Sequence, residues 1–334
     1  MQAVVVEGRQ LAAVRAVPPP DPGARALVRV SRGGLCGTDL KILSGDIPIT
    51  FPRVLGHEMV GRVAAPGADG LVPTATRVLI DPGISCGRCP VCRNDRSYLC
   101  PDGVLMGRDV DGGFADLVAV DETSLHPIPD SIGDDASAVL QVLATCVHAQ
   151  DRMPVFPGQT AVVVGLGVSG LLHLQLLRVR GIDTVVGVTR SGWKRELART
   201  LGAAAVAAPD EAERVVGQLT GGRGADLVVE SVGSAAALRQ AMMLAGPGAT
   251  VLVFGIPPAE VGGLPGYRWY FQELTIVNTR AARPRDYDRA VRLAASGALA
   301  LEPLVTATYP LAHAVEAIDA CRDPAQLKVV LKID

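Results

Sequence analysis

Aromatic residues are scarce in this chain: five Phe, five Tyr and two Trp stand among 334 residues. That scarcity excludes the stacked aromatic platform on which proteins hold single-stranded nucleic acid. An excess of positive charge is missing too. Lys and Arg number 32 against 34 Asp and Glu, for a net charge of −2, so no basic footprint for a nucleic-acid partner is expected. No apolar run reaches the length of a membrane span, so no membrane partner is expected. The opening MQAVVVEGRQ lacks the basic start and long apolar core of a secretion signal, and the expected location is the cytoplasm. No repeat at a solenoid period and no low-complexity tract is present.

What is present is length enough for two domains, an ordinary globular composition of 49% hydrophobic and 20% charged residues, and seven cysteines. In a reducing compartment cysteines point to metal or catalysis rather than disulfides. Residues 1–80 read as short strands, Ala3–Val6 and Ala26–Val30 among them, broken by turn residues such as PPPDPG at Pro18–Gly23. That is an all-β, barrel-like start. From residue 157 the pattern changes to alternating strand and helix, as in a parallel doubly wound sheet. Its strands are expected at Ala161–Gly165, Thr184–Val188, Ala204–Ala207, Asp226–Glu230, Thr250–Phe254 and Leu274–Val277.

The second half turns on AVVVGLGVSG, Ala161–Gly170. A β-branched run reads as a buried parallel strand. Gly165, Gly167 and Gly170 then permit a tight turn, a close approach to a pyrophosphate and the packing of helix on strand. The helix opening at Val168 turns its positive end toward the phosphates. A tight turn with no ligand is the plain alternative.

Two further clusters carry metal chemistry. Cys36, in Cys-Gly-Thr-Asp, and His57, in Gly-His-Glu, form a soft and borderline donor pair suited to zinc. Glu58 is an available third or exchanging ligand, and Asp39 can hold the far nitrogen of His57. In Cys86-x2-Cys89-x2-Cys92-x7-Cys100 four thiolates fall within fifteen residues. Such a set fits one tetrahedral zinc with no open position, a structural site.

Gly56-His57-Glu58-Met59-Val60-Gly61, the four-cysteine lobe and the glycine motif, in this order, resemble the zinc-dependent medium-chain dehydrogenase/reductase family of alcohol and polyol dehydrogenases. The resemblance spans essentially the whole chain. It implies an α/β protein with a GroES-like β-barrel catalytic domain, 1–145 and 280–334, whose zinc lobe lies at about 86–100, and a Rossmann dinucleotide-binding domain, 146–279. It makes Cys36 and His57 ligands of a catalytic zinc, so that two zincs per chain are expected. It makes Thr38 the hydroxyl that passes the substrate proton, puts Thr145 near the nicotinamide ring and makes Lys328 a cofactor-phosphate contact. Lys41 stands where many members carry the histidine that ends a proton relay. The chain departs from the family at Gln141, where a Cys, Asp or Glu ligand is usual. Either Glu58 completes the site, or Gln141 holds a zinc-bound water, or the zinc is weak or absent. Cys146 is a fallback ligand, five residues on.

Cofactor choice is read at the end of the second strand of the sheet. The acidic residue that would hold the adenine ribose of NAD is missing. Thr189, Arg190 and Ser191, with Lys194 soon after, replace it. A guanidinium fork suits the 2′-phosphate of NADP, and no carboxylate repels it. NADP is therefore favoured over NAD. The function expected is hydride exchange between an alcohol, of polyol, sugar or aminocyclitol type, and its carbonyl. The alternatives are a zinc-independent NADPH reductase of the same fold and a non-catalytic NADP-binding sensor. A homodimer or homotetramer is expected, with Thr250–Phe254 continuing the sheet across a two-fold axis.

Overall fold

The structure is a computed structural model and describes residues 1–333. The chain divides into two compact units, residues 1–144 with 281–333 and Thr145–Arg280. The first unit opens with β1 (Gln2–Gly8), β2 (Leu11–Ala16), β3 (Ala26–Gly34), α1 (Gly37–Ser44), β4 (Arg53–Val54), β5 (Met59–Ala65) and β6 (Arg77–Ile80). The short pieces β7 (Gly83–Ile84), α2 (Pro90–Arg93) and β8 (Val104–Leu105) frame the cysteine lobe. Then come β9 (Leu117–Val120), β10 (Leu125–Pro127) and α3 (Asp134–Ser137). Alternation sets the faces: Ala26, Val28 and Val30 of β3 are buried, while Arg29 between them is exposed. They pack with Met59, Val63, Val78 and Ile80.

The periodic stretch Ala136–Ala149 reads as one helix in the sequence, but the chain makes two. α3 stops at Ser137 and α4 (Leu140–Gln150) starts three residues later. The Ser137 hydroxyl bonds back to the Asp134 carbonyl, and the amides of Ala138 and Val139 reach only three residues back. Local bonds of this kind compete with the helical ladder.

The second unit alternates strand and helix: β11 (Thr160–Val164), α5 (Val168–Val179), β12 (Thr184–Val188), α6 (Gly192–Thr200), β13 (Ala205–Ala207), α7 (Ala212–Thr220), β14 (Ala225–Glu230), α8 (Ala235–Leu244), β15 (Ala245–Val253), α9 (Gly266–Phe271) and β16 (Thr275–Asn278). All its strand pairs are parallel, in the order β13-β12-β11-β14-β15-β16. Every residue of β11 is buried, as helices on both faces of a parallel sheet require. The expectation that Thr250–Phe254 joins two copies is corrected here. β15 has β14 on one side and β16 on the other, so it has no free edge; the edges are β13 and β16.

The chain returns to the first unit as α10 (Pro284–Ala295), β17 (Val305–Pro310), α11 (Ala314–Cys321) and β18 (Lys328–Lys332). The main sheet of that unit runs β10-β6-β5-β3-β18-β17, with β9 also on β3, and β2-β1-β4 form a second sheet. The first unit is the GroES-like barrel, and the second is the Rossmann sheet. Among the described residues no helix is long and apolar enough to cross a membrane.

Candidate active site

Three strand ends meet in the first unit, and together they deliver four functional side chains. The end of β3 pairs antiparallel with the start of β5, Gly33 opposite Met59, and the Gly34 amide donates to the Glu58 carbonyl at 2.8 Å. The start of β18 lies on the other side of β3, with the Leu35 amide donating to the Val329 carbonyl at 2.9 Å. Cys36, His57, Glu58 and Lys328 are thereby neighbours, although Lys328 is 270 residues from Glu58 in sequence.

The donor atoms of Cys36, His57 and Glu58 lie within 4.8 Å of one another. Asp39 fixes the first two. Its Oδ2 accepts the Cys36 amide at 2.8 Å at the start of α1, and its Oδ1 stands 3.5 Å from His57 Nδ1. Nδ1 is thus turned to the carboxylate, and Nε2 is the nitrogen left for a metal. Neither Oδ1 nor Nδ1 makes a well-formed hydrogen bond, and both are buried. Burial lowers the His57 pKa, but the Asp39 carboxylate and the Cys36 sulfur override it and hold it well above the ordinary imidazole value. A cation at this place is therefore favoured, and a metal would take the proton's role.

Lys328 differs from its expected role as a cofactor-phosphate contact. Its ammonium is buried, donating to Glu58 Oε2 at 2.5 Å and to the Leu35 carbonyl at 3.0 Å. Burial works against its charge, but the Glu58 carboxylate and the Cys36 sulfur outweigh it and raise the pKa. The ammonium is spent on Glu58, and Glu58 is no longer an unbalanced anion. Thr38 is half-buried on α1, and Lys41 is exposed in its last turn. Gln141 is buried at the start of α4. Thr145 follows on the same helix, half-buried. Cys146 is fully buried, its Sγ 3.8 Å from the Ser169 carbonyl and its thiol pKa pushed up by burial. Among the described residues it is not one of the donors gathered with Cys36.

In the lobe, Cys86, Cys89, Cys92 and Cys100 also gather within 4.8 Å, all as free thiols. Cys89 Sγ lies 3.4 Å from Cys92 Sγ and 3.9 Å from Cys100 Sγ, and Cys86 Sγ lies 3.9 Å from Cys92 Sγ. Four sulfurs each about 2.3 Å from a tetrahedral zinc would stand about 3.8 Å apart. The lobe fits a four-thiolate zinc, and the Cys36 group fits one with fewer protein ligands.

In the second unit the glycine motif is a turn between β11 and α5. Gly165 has φ +92°, the left-handed region, and a Cβ at Gly170 would lie 1.8 Å from the Gly165 carbonyl oxygen. A Cβ at Gly167 would meet nothing, so the space over the second glycine is open for a ligand. Gly167 precedes the helix, whose first residue is Val168. Beyond β12, Thr189 and Ser191 are half-buried and Arg190 is exposed. Arg195 spends its Nη1 on the carbonyls of Thr189 and Arg190, at 2.8 and 3.1 Å, and so shapes this loop. Lys194 Nζ sits 5.1 Å from the Trp193 ring centroid.

Residues 22–130 match the alcohol dehydrogenase GroES-like domain family, and residues 168–296 match the zinc-binding dehydrogenase family. The whole chain is 32% identical to the protein named probable zinc-binding alcohol dehydrogenase in Mycobacterium tuberculosis, of which it covers 89%. The chain belongs to the zinc-dependent medium-chain dehydrogenases. This dehydrogenase is 28% identical to sorbitol dehydrogenase of Bacillus subtilis, over 96% of its own length and 93% of that relative. A zinc-binding dehydrogenase of Sinorhizobium meliloti 1021, solved with NADP bound, shares its fold with a TM-score of 0.94 and 34% identity over 99% of each chain. As a medium-chain dehydrogenase it is an NAD(P)-dependent alcohol–carbonyl oxidoreductase.

Two features of the site escape sequence reasoning. The Glu58–Lys328 pair carries only one local hint, a lysine opening the apolar run LKVVLK. Tyr287, which lies near both Asp81 and Gln141, carries even less: the period of α10 turns it inward without naming a partner for its hydroxyl.

Proposed function

We propose that this dehydrogenase interconverts a polyol, sugar or cyclitol-type secondary alcohol and its carbonyl with NADP(H). In this reading Cys36 and His57 hold a catalytic zinc, with Glu58 as an exchanging ligand, and the four-cysteine lobe holds a second, structural one. The observation that carries the reading is the gathering of the Cys36, His57 and Glu58 donor atoms within 4.8 Å beside the buried Lys328. Zinc there would supply Lewis acidity, lowering the pKa of the substrate hydroxyl. The chain does the rest. Asp39 orients His57, Lys328 balances Glu58, Thr38 takes the hydroxyl proton outward, and Thr145 borders the nicotinamide. Gly165, Gly167, Val168 and Gly170 seat the pyrophosphate, while Thr189, Arg190, Ser191 and Lys194 surround the adenine ribose and its 2′-phosphate. The NADP-bound structure of the Sinorhizobium relative supports the choice of NADP, and the sorbitol dehydrogenase relative supports a polyol substrate. Free thiols in two metal-ready clusters support a reducing, cytoplasmic setting.

In quaternary structure the reading is a dimer or tetramer joined through the free edge of β16, flanked by the exposed aromatic rings of α9. A zinc-free NADPH reductase is the second reading, favoured by the amide at 141 and the lysine on Glu58.

The test is zinc per chain in protein purified without chelator or added metal. Two zincs are expected in the parent and one in Cys36→Ser. That variant should lose alcohol and carbonyl turnover while binding NADP normally. Unchanged turnover in Cys36→Ser overturns the zinc mechanism.

A further inference from the structure

The strand order of the second unit reverses between β11 and β14. From β11 the chain moves outward to β12 and β13, then returns to β14 and moves the other way. A dinucleotide lies across such a reversal, one mononucleotide on each half of the sheet. The glycine turn and the loop after β12 belong to the adenosine half, so the loops that leave β14 and β15 fall to the nicotinamide half. Those two loops carry Val232 and Ile256, apolar side chains that are 55% and 65% exposed.

One residue shapes both loops. Glu230 ends β14 and is 1% exposed. Its Oε1 accepts the amides of Val232 at 2.8 Å and Gly233 at 2.9 Å, which curls the first loop back on its own strand. Its main-chain carbonyl accepts the amides of Phe254 at 2.9 Å and Gly255 at 3.0 Å, which fastens the start of the second loop. The loops then meet backbone to backbone. A Cβ on Gly255 would fall 2.1 Å from the Gly233 nitrogen, and one on Gly233, where φ is +80°, would fall 2.6 Å from the Ile256 carbonyl oxygen. The curled loop also lies against the phosphate turn. The Ser231 amide donates to the Val164 carbonyl at 2.8 Å, the Ser231 and Ser169 hydroxyls are 2.8 Å apart, and a Cβ on Gly165 would fall 2.5 Å from Val232 Cγ2. A carboxylate is costly to bury unless its oxygens are hydrogen-bonded. Burial raises the Glu230 pKa, and the two amides oppose it. An apolar side chain would close the strand end at less cost; what the carboxylate adds is the pair of amide bonds.

We propose that Glu230 is a positioning residue that sets Val232 and Ile256 as the apolar wall on which the nicotinamide ring of the bound cofactor rests. This rests on the reading that the glycine turn seats NADP. Glu230 acts through the two loops and needs no contact with the ring. Without its carboxylate the amides of Val232 and Gly233 lose their acceptor, and Val232 leaves its place over Gly165. The adenosine half, seated beyond β12, keeps its contacts.

The experiment compares two probes by isothermal titration calorimetry: NADPH, which has both halves, and adenosine 2′,5′-bisphosphate, which has the adenosine half alone. Glu230→Ala should weaken NADPH about tenfold, the worth of one hydrogen bond to a charged group. It should leave the bisphosphate within about twofold of the parent, as for a site with no shared partner. Glu230→Gln keeps an oxygen acceptor for the two amides and should bind NADPH close to the parent. A second variant removes the wall from exposed positions, where the fold is not at stake. Val232→Ser with Ile256→Ser should weaken NADPH about tenfold, through lost apolar contact, and spare the bisphosphate. Glu230→Ala that binds NADPH like the parent, or loses both probes alike, overturns the positioning role, and so does Glu230→Gln as weak as Glu230→Ala. A serine pair that binds NADPH like the parent overturns the wall. A parent that binds neither probe overturns the NADP reading and this role with it.

Discussion

Arg190 is exposed two positions beyond the last residue of β12, while Arg195 is tied to the backbone of the same loop. Of the two guanidinium groups, Arg190 is the one free to meet a 2′-phosphate. Charge-assisted bonds of this kind contribute about 1.5–3 kcal/mol. Arg190→Ala should therefore lower kcat/KM for NADP about tenfold to a hundredfold and leave that for NAD nearly unchanged. Equal losses with both cofactors would make Arg190 a structural residue of the loop. At this scale, sequence legibility followed chemistry that is local. Cys86, Cys89, Cys92 and Cys100 are close in sequence, and their ligand set is readable from spacing. Cys36 and His57 are readable because thiol and imidazole are rare and soft. Lys328 is not, because its partner is Glu58, and only the register of β18 on β3 brings the two together. Gln141 shows as a departure from the family pattern, but its nearness to Tyr287 of α10 is invisible to any local pattern.

At the scale of elements, buried parallel strands are the easiest to read. Thr160–Val164 and Thr184–Val188 are β-branched runs buried along nearly their whole length, so composition alone marks them. Their order across the sheet is not written locally, and that is why Thr250–Phe254, expected at a joining edge, lies inside the sheet, whose edges are β13 and β16. Just before β16, α9 exposes Tyr267, Tyr270 and Phe271 at 78%, 82% and 70%. A free strand edge beside three open rings is a surface that monomers rarely keep. Pairing of two β16 edges across a two-fold axis would cover both features with one self-complementary contact. Light scattering should give a dimer or tetramer for the parent. Placing charge on the rings, Tyr270→Arg with Phe271→Arg, should shift it toward monomer while the chain stays folded. A parent that is monomeric at working concentration removes this interface.

Across the whole molecule the two units should respond to acid in opposite senses, because each buries a different titratable group. Burial lifts the Asp81 carboxyl in the first unit to about 6. Its folded pKa is above the unfolded value of about 3.9, so its contribution to stability is full below that value and is lost as pH rises through about 6. Burial depresses His173 in the second unit to about 3. Its ring is enclosed, edge-on to Phe254 at 4.6 Å between centroids, with Gln150 Nε2 3.3 Å from Nδ1. For this group stability is present above the unfolded value of about 6.5 and is lost as pH falls from there toward 3. Between pH 7 and pH 5 the second unit should lose about 2 kcal/mol through His173, while the first gains about 1 kcal/mol through Asp81. Acid should therefore open the Rossmann sheet before the barrel. Hydrogen exchange followed by mass spectrometry at the two pH values, corrected for intrinsic rates, reads each unit separately. Protection should fall at pH 5 in β11, α5 and β14 and hold in β3, β5 and β6. His173→Gln removes the titrating ring and should abolish most of the acid loss in the second unit. An equal loss in that variant would assign the acid sensitivity to other groups.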